Sequence, residues 1–210
     1  MDFNVSSPTG DKIVKIDLPE NGRIGILISG GLDSAVMTAL ILMARQVECP
    51  SLQVVALNVK RGFGTESFSK AMVEKMEEHF SIHLPLIHLD IPEGIDDHHS
   101  VYAAAAKLMD KRVVKKVFTA DTQNPPIDNP FAPNRNKIED QNKFPRWGLP
   151  FIHLDKSHTV ALMKQLNLNF IEEMSHTCFA TDSLRCNACF QCEERAWAYQ
   201  VLGLTDTGKF

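Results

Sequence analysis

The chain of 210 residues has no excess of basic charge: 22 Lys and Arg stand against 26 Asp and Glu, a formal net charge of −4 and a pI near 6.1. With no basic arm, that balance argues against the sequence-blind electrostatic grip on nucleic acid that many phosphate contacts require, so no strong nucleic-acid binding is expected. Long apolar runs are missing too. Ala35–Ala44 is the longest, far too short to span a bilayer, and no membrane partner is expected. The opening residues, MDFNVSSPTGDK, are polar and carry two acids, unlike a secretory or transit leader, so a cytoplasmic location is the expectation. Neither an internal repeat nor a low-complexity tract is present. Five cysteines, an odd number with four of them crowded between Cys178 and Cys192, do not make a disulfide framework. They fit a metal site in a reducing compartment.

With 44% hydrophobic and 23% charged residues the chain reads as a soluble globular domain. Its length suffices for one substantial core with a small appended module. The most informative segment lies near the amino end. The apolar run Arg23–Ile28 empties into Ser29 Gly30 Gly31 Leu32 Asp33 Ser34 and then into the Ala-rich stretch Ala35–Arg45. A buried strand, a glycine turn and a helix start in about twenty residues make a backbone-amide anion site, and the physics asks for phosphate. Adjacent glycines let the main chain approach without Cβ interference, Ser29 and Ser34 add hydroxyl donors, and Asp33 supplies a carboxylate for Mg²⁺ or for the helix start. The alternative is a plain strand-to-helix turn.

Further along, Val54–Val59 reads as a second buried strand. Glu66–Phe80 carries apolar residues at helical spacing, at Phe68, Met72, Val73, Met76 and Phe80. Leu84–Leu89 and Lys116–Ala120 are further strand candidates, with an Ala-rich helix at Tyr102–Met109 between them. Alternation of this kind predicts an α/β fold with a doubly wound parallel sheet, whose ligands sit beyond the carboxyl ends of the strands, where Ser29 and Asp121 both fall. From 121 to 150 the pattern breaks around prolines 125, 126, 130, 133 and 145, which predicts a mobile loop through which substrate enters or else a surface excursion. Leu149–Leu154 is apolar, Lys156–Leu166 reads as a helix with Ser157 next to its N-cap, and Asn169–Met174 leads to the cysteines. The expected division is a phosphate-binding α/β domain over 1–170 and a cysteine module over 171–210. Asp96, Asp97, His98 and His99 cluster in sequence, but their spacing does not put ligands on one helical face, and a solvated loop or cap is the preferred reading.

Cys178, Cys186, Cys189 and Cys192 are separated by seven, two and two residues. Two-residue gaps let thiolates converge on one tetrahedral ion while the longer gap closes the ring, so a structural zinc site is expected; an iron–sulfur cluster uses the same ligands.

Ser-Gly-Gly-x-Asp-Ser lacks the Gly-Lys-Ser/Thr ending of a Walker A loop and resembles the PP-loop of the N-type ATP pyrophosphatases. Together with the Cys-x7-Cys-x2-Cys-x2-Cys segment, preceded by Ser175 His176 Thr177 and followed by Arg195, and with Pro150 Phe151 Ile152 and Lys156 upstream, it resembles the 7-cyano-7-deazaguanine synthase (QueC) family. The resemblance is strong over 23–45 and 148–206. It implies a PP-loop ATPase fold of the adenine nucleotide α-hydrolase type, with a carboxy-terminal zinc module. The implied reaction converts 7-carboxy-7-deazaguanine and ammonia into the nitrile through an acyl adenylate, using ATP and Mg²⁺ and releasing AMP and pyrophosphate. On that basis Ser29, Asp33 and Lys156 are assigned to catalysis. Ser29, Gly30, Gly31, Leu32, Asp33 and Ser34 are assigned to the phosphates, Asp121, Gln123 and Asn124 to the heterocycle, and the four cysteines to zinc; a homodimer is the expected quaternary state. Lys156 also reads as a solvated helix-start lysine, and Asp121, Gln123 and Asn124 as turn residues before two prolines.

Three positions depart from the family pattern. Asn187 follows Cys186 where the family has glycine, and Asn tolerates the left-handed conformation such a turn needs. Pro133 Asn134 Arg135 Asn136 is the nearest text to the family's Val-Pro-x-Arg-Asn segment, and no function is carried onto it. The stretch Asp121–Pro126 replaces the family's Gly-x-Asn segment. Two other functions compete: a PP-loop ligase or thiolase acting on tRNA, which needs a basic face and a cysteine outside the metal site, for which only Cys49 is spare; and a nucleotide-binding regulatory or defence module without turnover.

Overall fold

The computed structural model describes residues 1–59, 65–91, 97–127, 145–178 and 185–208. Five parallel strands form the central sheet: β3 (Arg23–Leu27), β4 (Gln53–Val59), β5 (Leu86–Leu89), β6 (Lys116–Phe118) and β7 (Trp147–Gly148), in the order β5-β4-β3-β6-β7. Ahead of it β1 (Asp2–Ser7) and β2 (Gly10–Lys15) make a separate antiparallel hairpin. The helices are α1 (Leu32–Glu48), α2 (Thr65–Phe80), α3 (Asp97–Asp110), α4 (Lys156–Gln165), α5 (Asn169–Met174) and α6 (Phe190–Val201).

Strand β3 is apolar on both sides because helices cover both faces of a parallel sheet. Ile24 and Ile26 join α1, α2, α4, α5 and α6 in one cluster, while Leu27, Leu57 and Val117 pack against Ala104, Ala105 and Met109 of α3 on the other. The chain winds outward from β3 through α1, β4, α2 and β5, then crosses by α3 to β6 on the far side of β3. The strand order therefore reverses between β3 and β6, the place where an open α/β sheet leaves a crevice at its carboxyl edge. This is the doubly wound arrangement the alternation predicts.

Boundaries shift where pairing runs out. Strand β6 ends at Phe118 instead of Ala120, since β7 offers only Trp147 and Gly148 as partners. Strand β5 begins at Leu86, and α3 extends back to Asp97. In the apolar stretch Leu149–Leu154 the chain turns, burying Leu149, Phe151, Ile152 and Leu154 and leaving His153 exposed. The hairpin and α6 have no counterpart in the periodicity reading. Val5 and Val14 are buried by the hairpin, and its tip is clamped onto α4, where Thr9 Oγ1 donates to Asp155 Oδ2 at 2.7 Å. Among the described residues no helix is long and apolar enough to cross a membrane. The 128–144 part of the expected entry loop, the Pro133–Asn136 text and Asp96 lie outside the described residues; Asp97, His98 and His99 begin α3.

Candidate active site

The turn from β3 into α1 is built from its own hydroxyls. Ser34 Oγ accepts from the Ser29 N–H at 3.2 Å and donates to the Gly31 carbonyl at 3.1 Å, and Ser29 Oγ accepts from the Gly31 N–H at 3.2 Å. Gly30 holds φ +82, and a Cβ there would meet the Phe68 backbone carbon and Cβ at 2.7 Å, so only glycine lets α2 lie this close. Helix α1 starts at Gly31 with no side-chain cap. Helix α4, in contrast, is closed by Asp155, whose carboxylate accepts from the N–H groups of Ser157 and His158. The first-turn amides of α1, with the positive end of its dipole, are thus left open at the head of the crevice.

A cavity of about 310 Å³ opens there, lined by Ser29, Gly31, Leu32, Asp33 and Ser34 of the turn, Asn58 of β4, Tyr102 of α3, Asp121 beyond β6, Lys156, and Thr177, Cys178, Gln191 and Glu194 of the cysteine segment. Lys156, at the start of α4, bonds Asp33 through Nζ and lies 3.5 Å from Glu194 Oε2. Its side chain is 4% exposed and that of Glu194 1%. Thr159 Oγ1 also donates to Asp33, at 2.9 Å. One ammonium thus sits between two carboxylates in a largely buried corner, which offsets the cost of burying its charge. The solvated-lysine reading of Lys156 is excluded by its burial.

Asp121 lines the cavity and accepts from Tyr102 Oη at 2.7 Å. Gln123 and Asn124 are exposed and do not line it; the Gln123 N–H donates to the Leu154 carbonyl at 2.7 Å. Sequence reasoning missed Glu194, although its place two residues beyond Cys192 and one before Arg195 was a usable signal. It also missed Phe68, which stacks flat on His176 at 4.1 Å, and Asn58, the polar residue that interrupts the apolar run Val54–Val59 of β4. His176 donates its N–H to the Gly30 carbonyl at 2.9 Å, tying the cysteine segment to the turn.

The sulfurs of Cys178, Cys186, Cys189 and Cys192 lie within 4.8 Å of one another, with Cys186 and Cys192 at 4.0 Å and Cys178 and Cys189 at 3.9 Å. Tetrahedral bonds of about 2.3 Å to a single ion place thiolates about 3.8 Å apart, so the four thiols fit one ion. A cubane, with an iron at each corner, spreads its ligands more widely. Asn187 takes φ +54, so the glycine-like conformation survives the substitution. That turn aims the Ala188 and Cys189 N–H groups at Cys186 Sγ, at 3.4 and 3.3 Å. The Ala188 bond above all, with further donors from Cys178 and Cys189, pulls the Cys186 thiol down to about 6. Burial pushes Cys192 up to about 12. Arg195, fully buried, anchors the module by bonding Asp206, Ser175 and the Glu172 carbonyl.

Residues 142–203, which hold Lys156, the four cysteines and Glu194, match the family model described as Queuosine biosynthesis protein QueC. That match takes in less than a third of the chain. Among solved structures, the U34-tRNA thiolase NcsA from Methanococcus maripaludis with its [4Fe-4S] cluster aligns at TM-score 0.51 and 14% identity, over 89% of this chain and 72% of that one. PH1313 from Pyrococcus horikoshii Ot3 aligns at TM-score 0.42 and 16% identity, over 75% of this chain and 46% of that one. No curated protein shows a matching sequence. The QueC-like region begins at residue 142, and the glycine turn at 29–34 is joined to it in space by Lys156 and His176.

Proposed function

We propose that the protein cleaves ATP between its α and β phosphates to activate the carboxylate of 7-carboxy-7-deazaguanine, which ammonia then converts to the nitrile. The observation that carries this reading is the uncapped start of α1, opening on a cavity into which a buried lysine projects. A carboxylate oxygen attacks the α-phosphorus and pyrophosphate departs with the bonding pair. Ammonia adds to the acyl carbon, AMP leaves, and a proton is lost to give the amide. The amide oxygen attacks a second ATP, pyrophosphate leaves again, and loss of AMP and two protons closes the C≡N bond.

The α1 amides and the Ser29 hydroxyl hold the phosphates, and the Lys156 ammonium offsets charge growing on the leaving pyrophosphate, which is electrostatic catalysis without a protein nucleophile. Asp33, whose side chain lines the cavity, is the residue to hold Mg²⁺, which neutralises the phosphate oxygens when bound. Asp121, oriented by Tyr102, accepts N–H donors of the heterocycle. The four thiols take one zinc ion as a structural centre, and no step passes through it.

A second reading, sulfur transfer to tRNA, draws support from the fold shared with NcsA. Three observations weigh against it: the net charge of −4, the tight sulfur cluster, and Cys49, which ends α1 and so lies about 25 Å from the phosphate turn by helix rise. Pyrophosphate release is the test, measured with Mg-ATP, ammonium and either 7-carboxy-7-deazaguanine or tRNA, with mass spectrometry of the product. Release with the deazapurine and a nitrile product is expected. Release with tRNA alone would favour the thiolase reading, and none with either would leave a nucleotide-binding module.

A further inference from the structure

At the end of β4, Asn58 is 2% exposed, and its amide orientation is fixed: Nδ2 donates to the Ile28 carbonyl at 3.0 Å, an acceptor that leaves no room for a flipped amide. Its other end, Oδ1, is buried without a hydrogen-bond partner among the described residues, and Asn58 is one of the residues lining the cavity. A buried acceptor left unmade costs free energy in the empty site, and a ligand that brings a donor recovers it. The walls beside Asn58 narrow the choice of donor. Ile28, Leu57, Val59 and Phe68 line the same cavity and offer apolar surface suited to a flat ring. The charged trio of Asp33, Lys156 and Glu194 marks the phosphate end, and Asp121 with Tyr102 lies beyond β6 on the opposite side of β3.

We propose that Asn58 Oδ1 reads the nucleobase of the triphosphate, accepting a hydrogen bond from the exocyclic amino group of adenine. The inference rests on the ATP-cleaving reading and deepens it, because it assigns base selection to a side chain on the strand next to the phosphate turn. Its chemistry is discriminating. A 6-oxo purine sets a carbonyl oxygen against Oδ1 where adenine sets an N–H donor, so lone pair meets lone pair and the site rejects the ring. Through Nδ2 the same residue holds the carbonyl just before Ser29, so base recognition and the entry to the phosphate turn share one amide.

The test is calorimetric binding of Mg-ATP and Mg-ITP to the whole chain, for the wild type, Asn58→Leu and Asn58→Asp. Wild type is expected to favour ATP by about tenfold to a hundredfold. Asn58→Leu removes the acceptor and brings the ratio close to one. Asn58→Asp keeps an acceptor toward the base while losing the bond to Ile28, so both affinities fall and the preference for ATP persists. If Asn58 served only to clamp the strand end, both variants would weaken the two nucleotides equally and leave the wild-type ratio intact, which overturns the inference. A wild-type ratio near one overturns it with no variant needed. Wild-type binding of neither nucleotide would sink the ATP-cleaving reading and this inference together.

Discussion

The ammonium of Lys156, at the start of α4, bonds the carboxylate of Asp33 in the first turn of α1, across 123 residues of sequence. Both residues of that pair line the cavity, and Glu194 lies 3.5 Å from the lysine. Asp33→Asn removes one charge while keeping the shape, so the fold is expected to persist by circular dichroism. Pyrophosphate release should fall by about a hundredfold or more, the usual scale for losing one preorganised charged contact. Lys156→Met is harsher, because it strands two carboxylates in a nearly dry site; it should abolish release and also lower the melting temperature. Full activity in either variant would remove this corner from the chemistry.

Gly30 gives a second, purely steric handle. A methyl group at its Cβ position would press on the Phe68 backbone at 2.7 Å, and its φ of +82 is unfavourable for any L side chain. Gly30→Ala is therefore expected to displace α2 from the turn and to cost about 1–3 kcal/mol. ATP affinity should drop more than tenfold, read by calorimetry beside a chemical-denaturation curve. Gly203→Ala is the control: it shares a positive φ, but no atom lies within 4 Å of its Cβ position, so its nucleotide affinity should stay unchanged.

Much of this architecture was legible in the chain. The apolar run at 23–28, the glycine turn and the Ala-rich helix foretold β3 and α1 because a parallel strand buried on both faces cannot alternate, and the cysteine spacing foretold a closed thiol cluster. What stayed hidden was long-range. Nothing local in Lys156 distinguishes a buried ion-pair partner from a solvated lysine; the contact exists only because α4 packs beside α1. The hairpin at 2–15 was obscured by its polar exposed face, since each strand buries one valine, Val5 and Val14, beneath exposed neighbours. Glu194 likewise reads as an ordinary helix carboxylate until α6 turns it toward Lys156.

The cysteine cluster predicts a metal content. Elemental analysis should find about one zinc per chain, and substitution of Cys192 by Ser should lower it sharply. Because Cys178 lines the same cavity as the glycine turn and His176, two residues earlier, holds the Gly30 carbonyl, chelation should weaken nucleotide binding as well as lower the melting temperature. A remote staple would show the second effect without the first. Iron with a visible charge-transfer band would contradict the single-ion geometry.

Asp155 predicts how the fold responds to acid. Burial pushes its carboxyl upward, but hydrogen bonds from His158, Ser157 and Thr9, helped by the charge of His158, outweigh burial and hold it well below its ordinary 3.8. A folded-state value depressed in this way adds stability above the unfolded value and loses it as pH falls below about 4. That carboxylate closes α4 and grips the hairpin tip, so its protonation should loosen both at once. Asp155→Asn keeps a capping oxygen and removes only the charge; it should cost about 1–2 kcal/mol at pH 7. The variant should also flatten the fall of stability between pH 5 and about 2, with Glu172 and Asp206, both depressed by their own partners, keeping part of the slope. Denaturation curves collected across that range read the difference directly, and identical slopes for the two proteins would show that the Asp155 charge contributes nothing to the clamp.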